Sequence, residues 1–197
     1  MEINIILFSD FETLDVFGPV EIFGKVSDWT IKFYSQSGGL IANKDGIKIE
    51  TKSIDSIINK DIEVLFIPGG LGVRSEILNI DFINQIEELA KKSRYVLTVC
   101  TGSALLAKTG LLDGRKATSN KRSFDWVKTS SAEVKWMGKA RWIVDEKYYT
   151  SSGISAGIDM SLGFVRDLLG EDIADQIAFR IEYHWVKDNE DDDFCKQ

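Results

Sequence analysis

The fold is decided by one stretch of the sequence, Tyr95-Val96-Leu97-Thr98-Val99-Cys100-Thr101-Gly102-Ser103-Ala104. Apolar strand residues run directly into Cys100, and the small residues that follow it open a helix. This pattern predicts a sharp turn that holds the sulfur at the carboxyl end of a buried strand. The first N–H groups of the helix then face the sulfur, so we expect a lowered Cys100 pKa. Alone, the pattern fits a catalytic thiol and an inert buried cysteine equally well.

Outside this turn, strand and helix patterns alternate along the chain. Short apolar runs bounded by turn residues predict strands buried on both faces at residues 3–8, 30–34, 64–67 and 95–99. Helical patterns follow at residues 16–26, 81–92, 101–109, 155–169 and 172–186. Pro19 is placed in the first turns of the first helix, and residues 141–151 predict a hairpin. The alternation predicts an α/β fold, a mostly parallel central sheet with helices on both faces.

Length and composition favour one folded domain. The chain has 197 residues, of which 44% are hydrophobic, and this is enough for a substantial core. We expect a single domain over residues 1–188 and an acidic, solvated tail over residues 189–197. Cys195 lies in that tail and is expected to be a surface thiol without a role.

Charge and cysteine content exclude several classes of protein. The formal net charge is -7 without a dense Lys/Arg stripe, so we expect no nucleic-acid partner. The two cysteines are far apart, which does not indicate a disulfide framework and suits a reducing cytoplasm. No apolar run approaches the roughly 18 residues of a membrane span, and the acidic start lacks the features of a signal peptide. A cytoplasmic protein without membrane contact is therefore expected.

A glycine-rich turn, Pro68-Gly69-Gly70-Leu71, follows another buried strand and so lies at the same edge of the sheet as Cys100. Backbone N–H groups of such a turn can point at an anionic intermediate, as in an oxyanion hole. The alternative is an ordinary turn from strand to loop. Together with the N–H of Thr101, the turn supplies the donors that a cysteine nucleophile needs.

Asp15 is the candidate proton carrier. It falls just after the first strand, at the start of a helix, where an aspartate commonly serves as the N-cap. In that position its carboxyl group can also face a neighbouring loop and share a proton with a thiol. The sequence leaves both roles open, whereas Glu21, further along the helix, is expected at the surface.

Five motifs, in order over nearly the whole chain, resemble the ThiJ/PfpI superfamily: Asp15-Val16-Phe17-Gly18-Pro19, Pro68-Gly69-Gly70, Cys100-Thr101-Gly102-Ser103, residues 110–118 (GLLDGRKAT) and residues 152–160 (SGISAGIDM). The resemblance implies a flavodoxin-like three-layer sandwich of the class I glutamine amidotransferase type. An aspartate near the N-terminus and Cys-Thr-Gly at the turn are similar to the branch of isonitrile hydratases and amidase-type transcription regulators.

The chain departs from its relatives at two positions. Protease-like branches have histidine directly after the cysteine, where this chain has Thr101. Hydratase-like relatives usually have histidine where this chain has Asn120. The one histidine, His184, is expected to be structural or at the surface rather than a base for Cys100.

The resemblance implies a small-molecule enzyme, a cofactor-independent lyase acting through a covalent thioimidate on Cys100. Asp15 helps to protonate the substrate, and Thr101 orients the adduct. The backbones of Gly70 and Leu71, and the turn at Gly153 and Ile154, bind and stabilise it. A homodimer is implied as well.

Neither a metal nor a cofactor is expected, since one histidine and two distant cysteines offer no ligand set. No dinucleotide or phosphate-binding fingerprint occurs either. Two alternatives stay open. One is a glyoxalase or deglycase that acts on α-oxoaldehydes, and the other is a non-enzymatic sensor whose Cys100 oxidises to a sulfinate.

Overall fold

The computed structural model of the protein describes residues 1–195. Its strands are β1 (Glu2–Ile6), β2 (Thr30–Ser35), β3 (Gly39–Ala42), β4 (Lys48–Ser53), β5 (Ile62–Ile67), β6 (Ser93–Thr98), β7 (Lys116–Ala117), β8 (Lys135–Trp136), β9 (Trp142–Asp145) and β10 (Tyr148–Ser151). Its α-helices are α1 (Thr13–Phe23), α2 (Val73–Glu76), α3 (Ile80–Lys92), α4 (Gly102–Lys108), α5 (Phe124–Lys128), α6 (Ala156–Leu169) and α7 (Glu171–Arg180).

Eight strands form one sheet in the order β3-β4-β2-β1-β5-β6-β10-β9. Every pairing from β4 to β10 is parallel, and only the two outer pairings, β3 with β4 and β9 with β10, are antiparallel. The mostly parallel sheet is confirmed, and so is the hairpin at residues 141–151, which is β9–β10. A separate pair, β7–β8, is also parallel.

Helices cover the sheet in two groups, one in which α1 and α7 pack against α6, and one of α2 to α5 around α4. Strands between two helical layers must be apolar on both faces, and all but one residue of β5 is buried. Under α6, the ring of Phe164 lies 5.1 to 6.2 Å from the rings of Phe23, Trp29, Tyr95 and Tyr149. The three-layer flavodoxin-like sandwich is confirmed.

Two helices differ from the sequence-based expectation. Helix α1 begins at Thr13 rather than at residue 16, so Pro19 lies inside it and not in its first turns. Helix α7 ends at Arg180 rather than at residue 186. Its last turn closes when the N–H of Tyr183 donates to the carbonyl of Ala178 and Glu182 takes a positive φ of 55°, which no continuing helix allows.

The expectation that the acidic tail is solvated is wrong at Asp192, whose side chain is buried with 2% exposure. Its carboxylate lies 3.4 Å from a guanidinium nitrogen of Arg141 and 3.9 Å from the ammonium of Lys121. Two cations inside the protein require a nearby carboxylate, and the tail supplies one. The tail also adds to the β9 edge, because the carbonyl of Asn189 accepts from the N–H groups of Arg141 and Trp142.

Cys195 is partly buried rather than fully at the surface. Residues 196 and 197 of the predicted tail lie outside the described residues. Among residues 1–195, no helix is both long enough and apolar enough to cross a bilayer.

Candidate active site

Three neighbouring parallel strands, β1, β5 and β6, end at the same edge of the sheet. The turn after β5 carries Gly69, the turn after β6 carries Cys100, and the loop after β1 leads to Asp15 on α1. Ligands of open α/β sheets bind at this edge, outside the carboxyl ends of the strands. Chain topology therefore brings together residues that are far apart in the sequence.

Cys100 occupies a strained turn, as its sequence pattern predicts. Its φ is +57°, a left-handed value that side chains with a Cβ seldom adopt. Three hydrogen bonds hold it there: its N–H donates to the carbonyl of Ser152 at 3.2 Å, and its carbonyl accepts from the hydroxyls of Ser119 at 2.7 Å and Ser103 at 3.1 Å. Strained backbone that is fixed from several sides is typical of functional sites.

Asp15 is fully buried, with 0% exposure. It is not an N-cap: the capping position of α1 is Glu12, whose side chain makes no capping hydrogen bond. Instead, Oδ2 of Asp15 accepts from the N–H of Gly69 at 3.0 Å. Oδ1 has no nitrogen or oxygen partner among the described residues, and the carboxyl group lies within hydrogen-bonding reach of the Cys100 thiol. The Asp15 carboxyl group therefore lies beside the Cys100 thiol, and Asp15 does not serve as the N-cap of α1.

Gly69 makes this approach possible because it has no side chain. A Cβ at this position would lie 2.6 Å from the backbone nitrogen of Thr101 and 2.8 Å from Oδ2 of Asp15. Cβ atoms of side chains almost never come this close to other atoms. Glycine therefore allows the turns after β5 and β6 to close over the carboxyl group of α1.

Burial raises the pKa of Asp15 well above its usual value, and the nearby carboxylate of Glu12 raises it further. The Gly69 N–H and the thiol favour the ionised form but do not outweigh burial. Asp15 consequently retains a proton far more readily than a surface aspartate.

The expectation of a lowered Cys100 pKa is wrong. Burial raises the pKa of this thiol well above its usual value, and the Asp15 carboxyl raises it further, whereas the N–H and hydroxyl of Thr101 lower it. The N–H donors of the helix favour the thiolate, but Cys100 is only 6% exposed, and burial disfavours the thiolate more strongly. Cys100 and Asp15 form one coupled unit that holds its protons tightly.

Thr101 links the two turns. Its Oγ1 accepts from the N–H of Gly70 at 3.1 Å, and its own N–H is a hydrogen-bond donor to the Cys100 sulfur. The predicted donor at Gly70 is thus already bonded to Thr101, and the N–H of Thr101 is the donor that faces the sulfur directly. Gly70 adopts a φ of +139°, which favours glycine.

A cavity of about 290 Å³ opens over Cys100 and Thr101. The predicted binding residues Gly70, Leu71 and Ile154 line it, whereas Gly153 lines an adjacent cavity on the other side of Ile154. Most of the predicted site residues therefore meet around one space. Asp15 lies beneath that space rather than on its wall.

The cavity has further wall residues that the sequence reasoning missed. They come from the loop after β1, from α2, and from the segment after β7: Glu12, Arg74, Arg122, Ser123 and Trp126. None of these positions has a local motif that marks it as part of a site. Asn120, which the resemblance to hydratase-like relatives singles out, also lines the cavity and accepts from the N–H of Ser123 through Oδ1 at 3.0 Å.

A larger groove of about 420 Å³ lies between α1, α6 and α7 and is lined by apolar residues such as Leu14 and Phe17. No cysteine lines it, so the chemistry belongs to the smaller cavity over Cys100. His184 is exposed and does not line that cavity. Among residues 1–195, no three His, Cys, Asp or Glu side chains are grouped to hold a metal ion.

Comparison with known proteins places the chain among the relatives of one family. The DJ-1/PfpI family model matches residues 1–167. An isonitrile hydratase of Pseudomonas putida is 29% identical over 185 residues, which are 93% of this chain and 78% of that protein. The protein/nucleic acid deglycase 2 of Escherichia coli is 27% identical over 136 residues, 67% of this chain and 78% of that one. The crystal structure of a ThiJ/PfpI family protein from Pseudomonas syringae superposes with a TM-score of 0.80 at 25% identity, covering 92% of this chain and 74% of that one.

Proposed function

This chain belongs to the DJ-1/PfpI family, and from that premise we propose that it is a cysteine-dependent hydratase that converts isonitriles to N-substituted formamides. The observation that carries the proposal is the pairing of the Cys100 thiol with the buried carboxyl of Asp15. An isonitrile carbon must receive both a nucleophile and a proton, and this pair offers both at one place. The 29% identity to an isonitrile hydratase supports the choice of substrate.

The first step forms a covalent adduct. Cys100 Sγ attacks the terminal carbon of R–N≡C, a carbon–sulfur bond forms, and the same carbon receives the proton carried between Cys100 and Asp15. The product is a thioimidate, R–N=CH–S–Cys100. The N–H of Thr101 stabilises negative charge on the sulfur as it attacks.

The second step consumes water. Water adds to the thioimidate carbon, the nitrogen is protonated, and the carbon–sulfur bond breaks as R–NH–CHO leaves. The thiol regains its proton, so the net reaction is isonitrile plus water to formamide. Asp15, whose pKa burial raises well above its usual value, returns a proton to the sulfur.

Turnover of an alkyl isonitrile, cyclohexyl isonitrile, tests the proposal through the appearance of the formamide. We expect turnover by the wild-type protein, and none by Cys100→Ser with an unchanged circular dichroism spectrum. Cys195→Ser is the matched control, since Cys195 lies outside the cavity, and it is expected to retain full activity. Formamide production by Cys100→Ser at the wild-type rate would refute the mechanism.

A deglycase acting on α-oxoaldehydes is the second candidate, because a deglycase is also among the relatives. Its thiol would add to a carbonyl carbon instead of an isonitrile carbon. Loss of methylglyoxal by the wild type without any loss of isonitrile would favour it. If neither compound is consumed and Cys100 readily becomes a sulfinate by mass spectrometry, the protein is a redox sensor.

We also propose that the protein works in the cytoplasm, where the reducing environment keeps Cys100 as a thiol. The family resemblance supports a homodimer, and Leu14 and Phe17 on α1 give the protomer exposed apolar surface. Light scattering is expected to give twice the protomer mass of 22.2 kDa. A mass equal to one protomer at micromolar concentration would exclude the dimer.

A further inference from the structure

Two arginines line the cavity over Cys100 from different parts of the chain. Arg74 belongs to α2, which follows β5, and Arg122 belongs to the short turn at residues 121–123 that follows β7. Neither has a role in the proposed reaction. Both residues thus contribute to the wall of one ligand-sized cavity of about 290 Å³.

Neither the Arg74 nor the Arg122 guanidinium forms an ion pair with a carboxylate among residues 1–195. Arg115, Arg141 and Arg166, in contrast, each pair with a carboxylate. The guanidinium of Arg74 instead lies 4.3 Å from the ring centroid of Trp126, which also lines the cavity. Stacking on an aromatic face fixes the plane of a guanidinium and leaves its N–H edge available for an anion.

The charge of the cavity wall is opposite to that of the protein. The whole chain has 31 acidic and 24 basic residues. The cavity wall, in contrast, has two arginines and one carboxylate, Glu12. The charged group that acts on the Cys100 thiol is Asp15, not either arginine, so these cations do not serve the nucleophile. They are therefore available to bind a negatively charged group of a ligand in the cavity.

We propose that Arg74 and Arg122 form a subsite for a carboxylate group of the substrate, which is held there while its reactive carbon lies against Cys100. The planar guanidinium fork matches a carboxylate in two parallel hydrogen bonds. The substrate class is thus a small isonitrile that carries a carboxylate, such as isocyanoacetate. This substrate class rests on the proposed hydratase function, but the anion subsite itself does not.

Alkylation of Cys100 tests the subsite without any turnover. In the Cys195→Ser background, the rate of Cys100 alkylation by iodoacetate is divided by its rate of alkylation by iodoacetamide. This ratio is then divided by the same ratio measured for the free thiol 2-mercaptoethanol. Both reagents alkylate the sulfur to a thioether with loss of iodide. Iodoacetate carries a carboxylate where iodoacetamide carries a neutral amide. We expect a normalised ratio of about 5 to 10, because the arginines are exposed and each contact is moderate. Arg74→Gln combined with Arg122→Gln should return the ratio to about 1.

Arg94→Gln is the matched control. It removes the same charge from an exposed arginine that also lies over an aromatic ring, at the start of β6 and far from the cavity. We expect it to keep the wild-type ratio. A wild-type ratio of 1 or below, or an equal fall in Arg94→Gln and the double variant, would overturn the subsite.

Turnover of isocyanoacetate against its methyl ester separates this inference from the proposed function. We expect the wild-type kcat/KM to favour the acid, and the double variant to lose that preference by roughly five- to tenfold. Turnover of both compounds without preference would overturn the subsite and leave the hydratase intact. Selective alkylation by iodoacetate without turnover of either isonitrile would overturn the hydratase and support the subsite.

Discussion

Oδ2 of Asp15 accepts a hydrogen bond from the N–H of Gly69 at 3.0 Å, which ties α1 to the turn after β5. Oδ1 has no hydrogen-bond partner among the described residues, and the carboxyl group lies within hydrogen-bonding reach of the Cys100 thiol. One backbone hydrogen bond therefore sets the orientation of the proton carrier. Positioning of this kind is needed before proton transfer can contribute to the rate.

Asp15→Asn is expected to stabilise the protein increasingly as the pH rises. The folded-state pKa of Asp15 is raised above the unfolded value of 3.8, so the folded state binds the extra proton between those two values. The contribution of Asp15 to the unfolding free energy is therefore fully present below pH 3.8. It is lost as the pH rises through the folded-state pKa. Urea unfolding of both proteins from pH 3.5 to pH 9 measures the difference.

The isonitrile hydration activity of Asp15→Asn should fall about 100-fold or more, because the variant lacks the proton-carrying carboxyl group.

Asp45→Asn is the control of opposite sign. Hydrogen bonds from Thr13 and Lys44 lower the pKa of Asp45, so this carboxylate stabilises the folded state above the unfolded pKa. Its replacement should destabilise the protein at neutral pH and have no effect in acid. A difference between the wild type and Asp15→Asn that does not change with pH would show that folding leaves the pKa of Asp15 unchanged.

Cys100 should react slowly at neutral pH and faster in Asp15→Asn. Burial and the Asp15 carboxyl both raise the thiol pKa, so the midpoint of iodoacetamide labelling should lie above the unperturbed value of about 8.5. An asparagine carries no negative charge and should lower the midpoint. Labelling rates against pH in the Cys195→Ser background measure it. An unchanged or higher midpoint in Asp15→Asn would contradict the coupling of the two groups.

Much of the fold and the centre of the site were predictable from local sequence patterns. The parallel sheet follows from apolar runs that alternate with helical patterns, and Cys100 follows from a strand that runs into small residues. Strands β3 and β4, at one side of the sheet, were not predicted because they are largely exposed and have no continuous apolar run.

The rest of the site depends on long-range contacts that no local pattern carries. Ser152 begins the motif at residues 152–160, but that motif does not show that its carbonyl accepts from the N–H of Cys100, and Ser119 belongs to no motif. Arg74 and Arg122 are exposed residues of short helical segments, and only the fold brings them to one cavity. Burial at the carboxyl end of β6 likewise reversed the expected direction of the Cys100 pKa.

Gly153→Ala should disturb the cavity through Asn120. A Cβ at residue 153 would lie 2.8 Å from Cγ of Asn120 and closer still to its amide nitrogen, so this side chain must move. Its Oδ1 then loses the N–H of Ser123, at a cost of about 1 kcal/mol in unfolding free energy. We expect a higher KM as well. Gly138→Ala is the control, since its Cβ would meet nothing nearer than 3.5 Å. Equal effects of the two substitutions on KM would contradict this role for Gly153.

Asp192→Asn should destabilise the protein although it lies in a tail. The Asp192 carboxylate is buried beside Arg141 and Lys121, and its removal leaves both cations with less compensation. Arg141 retains its pairing with Asp159, so we expect a loss of about 1 to 3 kcal/mol rather than the larger loss of an isolated buried charge. Urea unfolding measures this loss. Asp193→Asn removes the same charge from the exposed neighbouring residue and should change the unfolding free energy by less than about 0.5 kcal/mol. If both variants unfold at the same urea concentration as the wild type, the buried Asp192 carboxylate does not stabilise the fold.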